Sequence, residues 1–152
     1  MRVRVAWAGN PKYGADWRRS TRVETLLPLL RMRDVEWMSL QKGEAAEQLK
    51  KLSADVRVVD GSSREADLAE TAALMATLDL VITTDTSVAH LAGALGKPVW
   101  ILLSKPGDWR WMEERETTPW YPTARLFRQA KTGDWVGVME QVRAELQVQI
   151  QE

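Results

Sequence analysis

The sequence predicts an α/β fold in which a doubly wound parallel sheet of about six strands carries helices on both faces. Short β-branched and apolar runs alternate with segments of helical periodicity along the chain. No internal repeat, low-complexity run or interdomain linker divides the 152 residues. One stretch, Asp79–Leu103, holds a complete strand–turn–helix–strand unit, DLVITTDTSVAHLAGALGKPVWILL. Its first strand is the buried-type run Leu80-Val81-Ile82-Thr83. After the polar turn Thr84–Ser87, the residues Val88, Leu91, Ala92 and Leu95 fall at helical spacing. Gly96 is placed to end that helix and Pro98 bars its continuation, before the second strand Val99–Leu103. Two strands joined this way are parallel members of one sheet.

In chain order, Val3–Trp7 reads as the first strand, broken by Gly9-Asn10-Pro11. A basic polar loop follows, with Lys12, Arg18 and Arg19 against Asp16. Thr21–Glu24 fits a capping box and opens a helix with Val23, Leu26, Leu27 and Leu30 on one face. Pro28 lies inside that helix and should kink or interrupt it. Val35–Leu40 reads as the second strand, and Gln41–Glu44 turns into a short helix over Ala45–Lys51. Val56–Val59 is the third strand, ended by Asp60-Gly61. A further helix carries Leu68, Thr71, Ala72 and Met75 inward and leads into the central unit, which supplies strands four and five. An irregular segment, Ser104–Thr123, holds Trp109, Trp111 and Trp120 among Pro106, Pro119 and Pro122. Arg125–Phe127 is the sixth strand. The last helix starts near Trp135, with Val138, Met139, Val142 and Leu146 at helical spacing.

With the common nucleotide-binding order, 3-2-1-4-5-6, strands one and four are neighbours. The gap between their carboxyl ends is then the switch point at which such sheets take ligands. The turns Gly9–Ser20 and Thr84–Ser87 face each other across it, a basic loop opposite a helix N-terminus. That pairing suits a diphosphate. The same three cations also fit a merely solvated loop. Neither GxGxxG after strand one nor GxxxxGK[ST] is present, so the ordinary dinucleotide and P-loop fingerprints are absent.

Composition narrows the classes. Hydrophobic content of 45% with 28% charged residues is that of a soluble globular chain. Twenty-one basic and 21 acidic residues cancel, which argues against a broad nucleic-acid surface. The lack of cysteine excludes disulfides, thiolate nucleophiles and Cys–zinc sites, and a single histidine excludes a histidine-pair metal site. No apolar run reaches membrane-span length, and the start MRVRVAWAGN has too short an apolar stretch for a signal peptide. The expected location is the cytoplasm.

Within the central turn, Asp85 suits a sugar hydroxyl or a helix cap. His90 lies one turn on from Thr86, on the same face, as a site residue or a structural histidine. Thr86, Ser87 and the free helix amides complete an anion-binding corner.

The segments WAGNPKYGADWRRS, SLQKGE, DTSVAHLAGALGKPVWILL and DWRW…PWYP together resemble the C-terminal half of heptosyltransferase-like glycosyltransferases of the family 9 type. They look closest to bacterial members in which that half follows tetratricopeptide repeats. The resemblance covers nearly the whole chain. It implies the Rossmann-like C-terminal half of a GT-B fold, holding a nucleoside diphosphate sugar as donor. By that resemblance Asp85 contacts the sugar, while Thr86, Ser87 and His90 contact the diphosphate region. Arg19 takes the place of a basic phosphate-binding residue, Glu44 that of an acid suited to ribose hydroxyls, and Asn10, Lys12, Ser20 and Lys42 join the donor site. Asp85 and His90 are the candidates for direct catalytic roles. No cofactor or metal is called for, since Arg19, Lys12 and the helix terminus supply positive charge. The N-terminal acceptor half of a GT-B enzyme is missing from residues 1–152, so the domain alone is expected to bind donor and transfer sugar poorly. The competing readings are a non-catalytic nucleotide- or phosphate-binding interaction module, and an unrelated phosphate-ligand protein of the same architecture.

Trp109, Trp111 and Trp120 follow strand five and so belong to the binding edge of the sheet. Trp109 and Trp111 are candidates for stacking on a sugar or base. Core packing, contact with the missing half, or self-association through that face are the other readings of the cluster.

Overall fold

The computed structural model describes residues 1–62 and 67–152. Six strands form one sheet: β1 (Arg2–Ala6), β2 (Glu36–Ser39), β3 (Val58–Asp60), β4 (Leu80–Thr84), β5 (Val99–Leu103) and β6 (Ala124–Arg128). All pair in parallel, in the order β3-β2-β1-β4-β5-β6. This is the doubly wound order expected from the sequence, with β1 between β2 and β4 in the registers Val3↔Trp37 and Val3↔Leu80. Among the described residues five α-helices accompany the sheet: α1 (Asp16–Arg19), α2 (Leu27–Leu30), α3 (Leu68–Ala76), α4 (Ser87–Ala94) and α5 (Trp135–Gln151). Among the described residues no helix is long and apolar enough to cross a membrane.

Strand alternation builds two cores. Val3, Val5, Leu80, Ile82, Trp100, Leu102 and Phe127 point to one face and pack with Val23, Leu26, Leu29, Leu30 and the buried stripe of α5, Val138, Met139, Val142 and Leu146. Ala6, Val81, Val99, Ile101, Leu103 and Leu126 point to the other, under Met75 of α3 and Ala89 and Ala92 of α4. With both faces covered, β4 and β5 are buried at every position.

Several local expectations are corrected. The capping box at Thr21–Glu24 does not form. Thr21 Oγ1 bonds Thr25 Oγ1 (2.9 Å), and the Val23 N–H is taken by Gln48 Oε1 (2.9 Å), a tertiary partner in place of a local one. The expected helix splits into a 3-10 turn, Val23–Leu26, and α2, in which Pro28 sits in the first turn. There its missing N–H has no intrahelical role, so the proline interrupts the run as anticipated. The face buried is Val23, Leu26, Leu29 and Leu30, with Leu27 only half-buried. The segment Glu44–Lys51 is 3-10 rather than α, and none of its residues is buried. The basic loop contains the helical turn α1, and β3 begins two residues later than expected because Val56 N closes a turn onto Ser53 O.

Two helix faces also differ. Leu68 was expected inward on α3, but it is 70% exposed, while Thr71 and Met75 are buried. On α4 Ala92 of the expected stripe is buried with Ala89 and Gly93 beside it, Val88 and Leu91 are half-buried against that core, and Leu95 is exposed at the helix end. Small side chains let α4 lie close to the sheet and to the Tyr121 ring, into which a Cβ on Gly93 would run. Beyond Ala94 the helix ends as expected, with Gly96 at φ 65°. Gly96 N bonds Gly93 O (3.0 Å) and Lys97 N bonds Ala92 O (3.0 Å), the paired closure that requires a left-handed residue.

At the sheet edge, Arg125 on β6 donates to Glu145 on α5 (2.7 Å). That hydrogen bond holds the Glu145 carboxyl below its ordinary value, with the arginine's charge adding to it. A depressed folded-state pKa contributes stability above the unfolded value and loses it as pH falls through the folded one. Glu145→Gln is expected to lower Tm slightly near neutral pH, because the pair is solvent-screened. The difference from wild type should close at pH below the carboxylate range, as thermal melts across pH will show.

Candidate functional site

The carboxyl ends of β1 and β4 open into a cleft with two lobes. One, of about 590 Å³, is lined by Ala6, Leu40, Leu68, Val88 and Leu91 together with Asn10, Gln41 and Lys42. Among the described residues lining it, the charged ones are Arg19 and Lys42. The other, of about 690 Å³, is polar, with Asp85, His90, Arg18, Asp108 and Arg110. Arg19, Thr86 and Ser87 line both.

Arg19 is fixed from two sides. Its Nε bonds Asp16 Oδ1 (2.9 Å) and its terminal nitrogen bonds the Asp85 carbonyl (3.0 Å), so it ties the loop after β1 to the loop after β4. Asp16 is buried, and its second oxygen accepts from Ser20 Oγ (2.8 Å), which in turn accepts from Gly9 N (2.9 Å). A Cβ at Gly9 would displace the Arg19 guanidinium and the Asp16 carboxylate from this arrangement. The Arg19 guanidinium also stands over the Tyr13 ring, 4.8 Å from its centre.

The loop after β1 has a second anchor that its motif alone did not single out. Gln41, buried, accepts from Trp7 N and Ala8 N (both 2.9 Å) and donates to Ala8 O (3.0 Å) and Lys42 O (3.1 Å). It thus continues the strand ladder past the end of β1 with a side chain.

At α4 the N-cap is Thr86, in extended conformation and without a side-chain cap. Asp85 is therefore not the cap, and the first helical N–H groups meet no capping side chain at the cleft. Asp85 Oδ1 instead lies 4.0 Å from His90 Nε2. His90 stacks on Trp111 (centroids 5.3 Å apart, planes 22° apart), and its Nδ1 is 2.8 Å from the Tyr121 hydroxyl.

Of the residues singled out from sequence, Asn10, Arg19, Lys42, Asp85, Thr86, Ser87 and His90 line the cleft. Lys12 is exposed and lines neither lobe. Asn10 Oδ1 accepts from the Lys12 N–H (2.9 Å), which shapes the loop. Ser20 acts behind the cleft, on Gly9 and Asp16. Glu44 lines an adjoining groove beyond Lys42 and Gly43. Trp111 is corrected as a stacking candidate. It is 1% exposed, and its ring packs on His90 rather than on open space. Trp109 is 74% exposed and lines a groove that adjoins the polar lobe at Ser104, Pro106, Gly107 and Asp108. Gln41, Asp16 and Tyr121 were missed as site-building residues. Gln41 and Tyr121 lie in the quoted SLQKGE and PWYP segments, and Asp16 is the lone acid in the basic loop. Val88 and Leu91, from the helical spacing on α4, are half-buried against the second core and also line the apolar lobe.

A family model for glycosyltransferase family 9 (heptosyltransferase) matches residues 34–133. Protein FlbA of Caulobacter vibrioides is 32% identical over 123 residues, 78% of this chain and 20% of that protein. The chain thus spans about a fifth of the length of the curated relative it matches.

Gln41→Ala should cost about 3 kcal/mol, because four backbone groups lose their partners and part of that loss is recovered by water at the cleft. Chemical denaturation measures it directly. A change under about 0.5 kcal/mol, the range of an ordinary surface substitution, would mean that the loop holds its shape without the glutamine.

Proposed function

The chain belongs to the glycosyltransferase family 9 (heptosyltransferase) family, and on that premise we propose that it holds a nucleoside diphosphate sugar between the ends of β1 and β4. The observation that carries the reading is that Arg19, Thr86 and Ser87 are common to both lobes. A cation and open helix amides lie between an apolar compartment and a polar one, matching the order of base, diphosphate and sugar along a donor.

In this reading the base rests among Leu68, Val88 and Leu91, and the diphosphate lies against Arg19 and the first turn of α4. Asp85 accepts from sugar hydroxyls and His90 donates beside it. Glu44 serves the ribose from the adjoining groove. When the bond from the anomeric carbon to the β-phosphate oxygen breaks, its electron pair leaves with the diphosphate. Arg19 and the helix amides then face the growing negative charge. Arg19 is already held by Asp16 and the Asp85 carbonyl, so little reorganisation accompanies that step. The acceptor site and catalytic base belong, in this proposal, to a second half of the GT-B type outside these residues, linked to tetratricopeptide repeats as the family resemblance implies. The isolated chain accordingly binds donor and transfers its sugar poorly.

Calorimetric titration with UDP, ADP, GDP and inorganic phosphate tests this. One nucleoside diphosphate should bind saturably and more tightly than phosphate. Arg19→Ala should weaken it about tenfold or more through loss of charge-assisted hydrogen bonds. Equal affinity for phosphate and for all three nucleotides would favour a plain phosphate-binding module.

A further inference from the structure

We propose that Tyr121 is a positioning residue for His90, holding its imidazole as the Nε2–H tautomer so that a hydrogen-bond donor faces the polar lobe. The consequence for ligand binding rests on the donor-binding reading above; the tautomer assignment does not.

Four contacts fix the ring. The Tyr121 hydroxyl lies 2.8 Å from His90 Nδ1, and the two rings meet edge to face with centroids 5.7 Å apart. Trp111 stacks on one face of the imidazole, and Asp85 lies beyond Nε2 at 4.0 Å. Tyr121 is in turn seated on Gly93, where any side chain would strike its ring. Trp111 is held by Arg128, whose terminal nitrogen donates to the Trp111 carbonyl. The pocket for His90 is thus assembled from α4, the Trp109–Trp111 turn and a residue 31 positions along the chain.

A neutral imidazole carries one donor and one acceptor nitrogen, and its neighbours decide which is which. The Asp85 carboxylate only accepts, so it favours a proton on Nε2. A phenol either donates or accepts, and beside an unprotonated Nδ1 it donates. The carboxylate therefore selects the form, and the Tyr121 hydroxyl completes it by donating to Nδ1. The opposite tautomer would turn the Nε2 lone pair toward a carboxylate. Presented this way, Nε2–H points into the lobe that Asp85 and Arg19 line, ready for a diphosphate or sugar oxygen.

His90 is the single histidine, so one imidazole signal set reports on it. Long-range proton–nitrogen correlation spectra of the ligand-free, nitrogen-15-labelled chain should show a pyrrole-like Nε2 and an unprotonated, hydrogen-bonded Nδ1. Tyr121→Phe keeps the ring on Gly93 and removes only the hydroxyl. Its Nδ1 resonance should move toward that of a free acceptor nitrogen, with Tm nearly unchanged. The nucleoside diphosphate that titrates wild type, among UDP, ADP and GDP, should bind the variant about fivefold more weakly. A protonated Nδ1 in neutral wild-type His90, or an Nδ1 resonance unmoved in Tyr121→Phe, overturns the assignment. Equal nucleotide affinity in wild type and variant overturns the positioning role while leaving the donor site standing. If none of the three nucleotides binds wild type, the donor-binding reading fails, and the spectra still decide the tautomer.

Discussion

The hydrogen bond from Arg19 to the Asp85 carbonyl joins two loops that lie 66 residues apart in the chain. The cleft has its form because of it. Strand order brings the loops together, since β1 and β4 are neighbours and both end at the same edge. The guanidinium then spans the gap, with Asp16, Ser20 and Gly9 arranged behind it. An arginine tethered at Nε and at one terminal nitrogen keeps its remaining donors in a defined place. That place adjoins the first turn of α4, where positive partial charge already accumulates.

Side chains from distant segments do much of what local motifs would otherwise do. Gln41 pairs the backbone beyond the end of β1, and Gln48 takes both the Val23 N–H and the Trp7 indole N–H (3.1 Å). The strands are thereby continued, and the turns held, by two amide groups rather than by longer ladders or caps. The same economy appears at α4, whose small residues bring it near the sheet and Tyr121 and so aim its open end. Rigid scaffold and exposed rim are clearly divided. The central strands β1, β4 and β5 are buried at nearly every position, whereas Tyr13, Trp17, Trp109 and Trp120 are exposed.

The strands were legible because buried apolar runs between turn residues have few alternative readings, as Leu80–Thr83 and Val99–Leu103 illustrate. Helix α5 was legible because Val138, Met139, Val142 and Leu146 repeat over a long span. Short elements were not. On α4 the periodic stripe included Ala92 but not Ala89 and Gly93, because Val88 and Leu91 are more apolar than those small residues. Close packing against a sheet selects small residues, and hydrophobicity does not report that choice. The capping box at Thr21–Glu24 failed because tertiary acceptors take the local donors, the Trp7 carbonyl the Thr21 N–H and Gln48 the Val23 N–H. For the site, residue types on the two loops pointed to the edge of the sheet at which the cleft lies. Yet whether a side chain lines the cleft, as Arg19 does, or supports it from behind, as Ser20 does, depends on contacts that spacing does not encode.

Amide spectra of the nitrogen-15-labelled chain, recorded while the preferred nucleoside diphosphate is added, test the central claim most directly. The account predicts the largest shifts at Gly9, Ser87 and Val88 and at the Arg19 side chain, all at the β1–β4 edge. Shifts confined to the groove of Arg31, Asp55 and Arg57, at the amino-terminal ends of β2 and β3, would contradict it.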